Sequence, residues 1–197
     1  MNKEEQSKRT DGTPIEIEHK FLIARPDEAV LAAQPDVRIL QIEQIYLPSE
    51  PGETSRVRRT SEAGEVHYYH TKKRRINAMS AYEEEREIPL EEYSAFVRGA
   101  NPHRRIIRKT RYKFPHAGFI CEIDVYPFWK DRAILEIEVT DERIVPPLPD
   151  FVRILKDVTK DRRYKNARLA KGIPADTRRA VKNQKKNKYN KYRKTHK

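Results

Sequence analysis

The sequence predicts an α+β fold that is mainly β: an eight-stranded antiparallel barrel with flanking helices. Two observations carry this. Charged residues occupy every second position in Glu16-Ile-Glu18-His-Lys20, Arg56-Val-Arg58, Glu83-Glu-Glu85-Arg-Glu87, Lys109-Thr-Arg111, Glu122-Ile-Asp124 and Glu136-Ile-Glu138. In a strand, residues i and i+2 share a face, so each segment reads as a strand with one charged face. The intervening Ile15, Ile17, Val57, Ile123, Val125, Leu135, Ile137 and Val139 are apolar and suit a buried outer face. Secondly, the strand signals follow one another along the body of the chain. Sequential strands pair antiparallel, and closing them into a barrel removes exposed edges.

The elements follow in order. Alternation, β-branched and aromatic content, and bounding Pro or Gly predict strands over 15–24, 41–47, 54–60, 65–74, 81–88, 104–114, 118–126 and 133–140. Pro48-Ser-Glu-Pro51-Gly52, Glu62-Ala-Gly64 and Pro115-His-Ala-Gly118 supply turns. Pro26 to Gln34 reads as a helix, with Pro at its first turn and Asp27 and Glu28 near the positive end of its dipole. Pro89 to Gly99 repeats the pattern with Glu91 and Glu92. Asp150 to Lys156 and Asp161 to Lys171 each begin with Asp, a good N-cap, and the second stops at Gly172.

The 197 residues carry a formal net charge of +12, but that figure misleads. Arg178 to Lys197 hold ten Lys or Arg and no acid, leaving 32 bases against 30 acids in the rest. Residues 1–13 and 175–197 read as disordered tails around a domain at 14–174. Cys121 is the single cysteine, which excludes an internal disulfide and fits a reducing, cytoplasmic setting. Its alternation against Glu122 and Asp124 turns it to the apolar outer side. No stretch approaches the eighteen apolar residues of a membrane span, so no membrane contact is expected. His67, His70, His103 and His116 lack metal-ligand spacing and read as surface residues.

A small barrel normally fills its interior with apolar side chains. Here carboxylates and cations would share it, at a cost of several kcal/mol for any isolated buried charge. Such an interior must be wet, internally paired and loaded with counter-charges. For one segment taken alone, a solvated sheet face is the ordinary explanation. Six segments together argue against that, because Ser, Thr and Gln would share such positions. Oxygen-only carboxylate pairs suit hard cations, Mg²⁺ or Mn²⁺. The bases suit phosphate oxygens.

These segments, in this order, resemble the triphosphate tunnel metalloenzymes, or CYTH family, in its short bacterial and archaeal single-domain form. The opening Glu16-Ile-Glu18-His-Lys20 is similar to the family's ExExK signature. Arg56-x-Arg58, Thr71-x-Lys73, Glu83-x-Glu85, Lys109-Thr-Arg111-Tyr112, Glu122-Ile-Asp124-Val125-Tyr126, Glu136-Ile-Glu138 and Val158 to Asn166 follow in register. The resemblance covers about residues 14–174. It implies an eight-stranded tunnel that binds a triphosphate with divalent metal and cleaves a phosphoanhydride bond. It places metal on Glu16, Glu18, Asp124, Glu136 and Glu138. It places phosphate on Lys20, Arg56, Arg58, Lys73, Lys109 and Arg111, with Lys165 from the last helix. It pairs Tyr46 with Lys20, which would assist the attacking water if neighbouring cations lowered its pKa. Glu83, Glu85, Glu87 and Glu122 keep a supporting role, holding the cations in place.

No base pocket is identifiable, and Trp129 reads as a loop or core aromatic rather than a thiamine platform. Inorganic tripolyphosphate, cleaved to pyrophosphate and phosphate, is therefore the expected substrate. The alternatives are a nucleoside or RNA 5′-triphosphatase, a thiamine triphosphatase, a class IV-type adenylyl cyclase, and a non-enzymatic polyphosphate-binding module. Lys182 to Lys197 interleave Lys and Arg with Tyr189 and Tyr192, which suits RNA or polyphosphate contact as well as it suits a solvated tail. Oligomeric state is not legible.

Overall fold

The computed structural model describes residues 15–177. The expectations for 1–13 and for the basic stretch 178–197 fall outside them. The chain runs β1 (Ile15–Ala24), α1 (Glu28–Ala32), β2 (Arg38–Leu47), β3 (Glu53–Glu62), β4 (Glu65–Arg75), β5 (Ser80–Glu87), α2 (Leu90–Arg98), β6 (Ile107–His116), β7 (Phe119–Val125), β8 (Arg132–Glu138), β9 (Ile154–Asp157) and α3 (Asn166–Leu169). Eight strands follow the order β5-β4-β3-β2-β6-β7-β8-β1, and β1 closes the barrel onto β5. Closure rests on three pairs, Ile15↔Tyr82, Glu16↔Ala81 and Ile17↔Ser80.

The helix expected at 150–156 is a correction. That stretch ends in strand β9, which pairs Phe21↔Asp157 and Leu22↔Lys156. The cause lies in β1, which leaves β5 after Ile17 and presents an open edge over Phe21–Ile23. An open edge takes a partner strand when one is available. The helix expected over 161–171 is also broken. Asp161 caps a 3-10 turn, Arg162–Tyr164, by accepting from the Arg163 N–H. Lys165 is then extended before α3 begins. In α1 the capping oxygen belongs to Asp27, which accepts from the Ala29 N–H.

The apolar outer face is buried as the alternation requires. Phe21, Ile23, Cys121, Ile123, Leu135 and Ile137 pack with Leu31 of α1 and with Val152 and Ile154. Each such side chain, fully buried, contributes roughly 1.5–3 kcal/mol. On the far side, Tyr93 of α2 covers Ile45, Val57 and Ile88. His70 is corrected from surface to buried: it is 8% exposed, stacks on Phe96 at 4.5 Å and meets Ser55 Oγ at 3.0 Å.

A second apolar cluster lies inside the barrel. Leu22, Tyr46, Ile107, Tyr126 and Ile134 are in phase with the charged positions but sit toward one end of their strands. Trp129, from the connection between β7 and β8, and Tyr164 and Leu169 of the carboxy-terminal segment pack on them. Trp129 is thus a core ring, and its indole N–H donates to Thr177 Oγ1 at 3.2 Å. Thr177 belongs to a 3-10 turn, Ala175–Thr177, which secures the last described residues to the barrel.

Candidate active site

Most of the charged positions, among them Glu16, Glu18 and Lys20 on β1 and Glu136 and Glu138 at the end of β8, face a cavity of about 630 Å³. Both Gly52, in the β2–β3 turn, and Gly118, in the β6–β7 turn, line it. In an antiparallel barrel these two turns lie at opposite ends, so the cavity runs from end to end. Gly118 has φ +82° in a two-residue turn, a conformation glycine adopts without strain.

Cations and carboxylates alternate along the wall. Lys20 Nζ lies 2.8 Å from Glu136 and 3.1 Å from Glu18. Lys165 Nζ approaches Glu18 at 3.6 Å. Lys73 bridges Glu16 and Glu83. Arg56 faces Glu83 at 3.5 Å, and Arg58 binds Glu85 at 2.7 Å. Arg111 reaches Glu136 at 2.7 Å and also binds Glu122, which Lys113 meets at 3.0 Å. Glu87 stands apart, with His67 at 2.7 Å.

Asp124 differs from the other acids. It is 0% exposed, and its two oxygens accept from Arg111 Nε and Nη2, each at 2.7 Å, and from Lys109. In this arrangement the carboxylate fixes two bases rather than facing the lumen. Tyr126 supports it from behind, with its hydroxyl 3.4 Å from Asp124 and donating to Asn166 at 2.7 Å.

The electrostatics follow from these neighbours. Burial works against the Lys20 ammonium, but Glu136 and Glu18 outweigh it and hold its pKa above the usual lysine value. This overturns the expectation that neighbouring cations lower it. Tyr46 does line the same cavity. Its hydroxyl accepts from Gln44 Nε2 at 2.6 Å, and burial raises its pKa. Lys109 shows the depression expected of Lys20: burial, then Arg111, bring it to about 8. Among the acids, burial followed by Glu16, Glu122 and Glu83 pushes Glu138 up to about 7. Burial opposes ionisation of Glu136, but Lys20 and Arg111 hold it well below the usual range.

Among the described residues, no group of three or more His, Cys, Asp or Glu side chains forms a ready cation cage. The donor chemistry nonetheless fits a hard divalent ion. Glu18 and Glu138 stand directly opposite on β1 and β8, as do Glu122 and Glu136 on β7 and β8. Like charges in that position repel, and a cation between them relieves the strain. Sequence reasoning missed Lys113, although it continues the alternation of Lys109 and Arg111. It also missed Arg75, Arg104, Arg162, Arg168 and Lys171, which line one end of the cavity. These come from strand ends and the irregular carboxy-terminal segment, where no periodic signal exists.

Fold and lumen define a class: a closed antiparallel barrel with a charged interior. The chain is 32% identical over 157 residues to the inorganic triphosphatase of Acetivibrio thermocellus, covering 79% of this chain and 93% of that one. The crystal structure of the inorganic triphosphatase NE1496 superposes with a TM-score of 0.51 at 27% identity, covering 81% of this chain and 96% of that one. The PH1819 protein of Pyrococcus horikoshii OT3 shares the fold, with a TM-score of 0.50 at 21% identity over 65% of this chain and 80% of that one. No family model matches the chain. On the first of these relatives, the chain belongs to the triphosphate tunnel (CYTH) family. No helix among the described residues is long and apolar enough to cross a membrane.

Proposed function

We propose that the protein hydrolyses inorganic tripolyphosphate to pyrophosphate and phosphate inside the tunnel, with Mg²⁺ or Mn²⁺ bound. The observation that carries this is one continuous cavity whose wall holds both phosphate-suited cations and metal-suited carboxylates. A pure phosphate binder needs only the cations.

Glu16, Glu18 and Glu138, with Glu136 beside them, would hold the metal. A divalent ion there supplies charge neutralisation and polarises phosphoryl oxygens. Lys20, Arg56, Arg58, Lys73, Lys109 and Arg111 take the phosphate oxygens, held in position by their carboxylate partners. Lys165 adds a cation at the edge. Phosphoryl transfer needs positioning and charge stabilisation more than covalent help from protein. Water attacks a terminal phosphorus, the anhydride P–O bond breaks, pyrophosphate leaves with the electron pair, and the proton shed by the water ends on the phosphate products or in solvent. Lys20, kept protonated by Glu136 and Glu18, positions phosphate and does not act as the base. Tyr46 orients Gln44 and the Arg56 side of the wall. Asp124, Glu83, Glu85 and Glu122 hold bases in place.

The test is phosphate release from tripolyphosphate, ATP, thiamine triphosphate and 5′-triphosphate RNA, with Mg²⁺, with Mn²⁺ and with chelator. Tripolyphosphate should be cleaved fastest, and chelator should abolish the reaction. Cyclic AMP as the product from ATP, or binding without any phosphate release, would sink this reading. A cytoplasmic location is proposed from the lone cysteine. RNA or polyphosphate contact by 178–197 is proposed from charge. Deleting that stretch should remove salt-sensitive RNA binding and spare tripolyphosphate hydrolysis.

A further inference from the structure

The barrel has a seam where β1 meets β5. On that edge, β1 is paired with β5 at Ile15, Glu16 and Ile17. Strand β9 takes the same edge from Phe21 onward. Between them, over residues 18–20, contacts from loops stand in for a partner strand. The Glu18 N–H donates to Met79 O at 3.4 Å, and the Lys20 N–H donates to Thr159 Oγ1 at 3.0 Å. A stretch with so little ladder support opens locally more easily than the strands around it. Glu16, Glu18 and Lys20, which face the cavity, are thus carried by the least paired part of the wall.

Two loops cross the seam on its outer side, and Glu142 joins them. The first is the turn between β4 and β5. Asn77 Oδ1 shapes it by accepting from the Met79 N–H at 2.7 Å and the Ser80 N–H at 2.9 Å. Ser80 is buried and is paired with Ile17. The second loop follows β8. Its Val139 N–H donates to Ile17 O at 2.9 Å, and its Ile144 carbonyl accepts from His19 Nε2 at 2.8 Å. Ile17 and His19 flank Glu18, so this loop grips β1 on both sides of that carboxylate. Between the two grips, Glu142 Oε1 accepts from Asn77 Nδ2 at 2.6 Å and from Ser80 Oγ at 2.8 Å. Ile17, Met79 and Val139 pack together beneath, with Ile144 against them.

We propose that Glu142 is a positioning residue: it clasps the seam between β1 and β5 and so fixes Glu16 and Glu18 against Glu138 for the metal ion. This rests on the reading of those carboxylates as the metal-holding group. Glu18 stands directly opposite Glu138, and like charges in that position push the strands apart. The loop that carries Glu142 begins directly after Glu138, so tying it to Ser80 resists that push where the ladder is thinnest. The clasp needs an acceptor oxygen in the right place and not a charge, because both donors go to one oxygen. Residues that hold ligands in place from behind are worth tenfold or more in metal affinity. Glu142 itself is exposed, so replacing it leaves the core intact.

The experiment compares the intact protein with Glu142→Ala and with Glu142→Gln, whose amide oxygen can still accept both bonds. Amide hydrogen exchange is read first, in chelator, at Glu18 on the seam and at Leu135 within β8. In Glu142→Ala the Glu18 amide should exchange roughly tenfold faster, the Leu135 amide should keep its native rate, and Glu142→Gln should behave as the intact protein. Mn²⁺ is then titrated by calorimetry. Its Kd should weaken roughly tenfold in Glu142→Ala and be restored in Glu142→Gln. The Mn²⁺ needed for half-maximal tripolyphosphate hydrolysis should move by the same factor, with kcat at saturating Mn²⁺ unchanged. Four results would overturn the proposal: native exchange at Glu18 in the alanine variant, equal acceleration at Glu18 and Leu135, unaltered Mn²⁺ affinity despite a loosened seam, or no rescue by glutamine. Failure of the intact protein to bind Mn²⁺ would defeat the metal reading alone, because the exchange comparison still decides whether Glu142 clasps the seam.

Discussion

Lys20 shows what a single residue's surroundings decide. Its position on the charged face of β1 was legible from the alternation, but its protonation state was not. Glu136 on the neighbouring strand and Glu18 two residues earlier on its own strand keep it charged. Truncating it removes a phosphate contact, so Lys20→Ala should cut tripolyphosphate turnover by ~10²–10³-fold, with an unchanged circular dichroism spectrum. Glu138 gives a prediction of the opposite sign. Its pKa rises from 4.5 to about 7, because burial and then Glu16, Glu122 and Glu83 disfavour the anion. The folded protein therefore binds the extra proton in that window, and stability is lost as pH rises through it. In chelator, Glu138→Gln should melt with the native protein near pH 4.5 and above it near pH 8. Equal melting temperatures at both pH values would contradict the charge crowding.

At the scale of elements, the charge alternation located six of the eight barrel strands, because a period of two with charge on one face has no helical counterpart, and β2 and β4 were legible from β-branched and aromatic content. It failed at β9 because pairing there is dictated by a partner edge, not by local pattern. Asp150 looked like an N-cap, yet Phe21–Ile23 needed a strand. The hairpins can be improved. Ala63 and Ala117 hold φ +48° before Gly64 and Gly118, a conformation alanine dislikes and asparagine tolerates. Ala63→Asn with Ala117→Asn should raise the melting temperature. The short helix α1 buries one side chain, Leu31, which is 0% exposed. Leu31→Ala should cost ~2–5 kcal/mol in denaturant unfolding while leaving KM for tripolyphosphate unchanged.

The whole molecule turns an ordinary barrel inside out: apolar residues face outward under α1, α2 and the 148–154 stretch, and charges face inward. That inversion is why the candidate site was so legible. Charge-x-charge on a strand is itself the lumen, so most of its acids and bases could be named from position alone. Their partners could not be named, because Arg111 with Asp124 and Lys73 with Glu16 depend on strand order and shear. Nor could Arg75, Arg162 and Arg168, which come together only when β4 and the carboxy-terminal segment meet. The central claim is that the lumen cleaves tripolyphosphate with a metal held on its carboxylates. The most direct measurement is phosphate release from tripolyphosphate, in excess Mg²⁺ or Mn²⁺, by the native protein and by Glu18→Ala of matched fold. The account predicts rapid release by the native protein and almost none by the variant. Equal release by the two would contradict it.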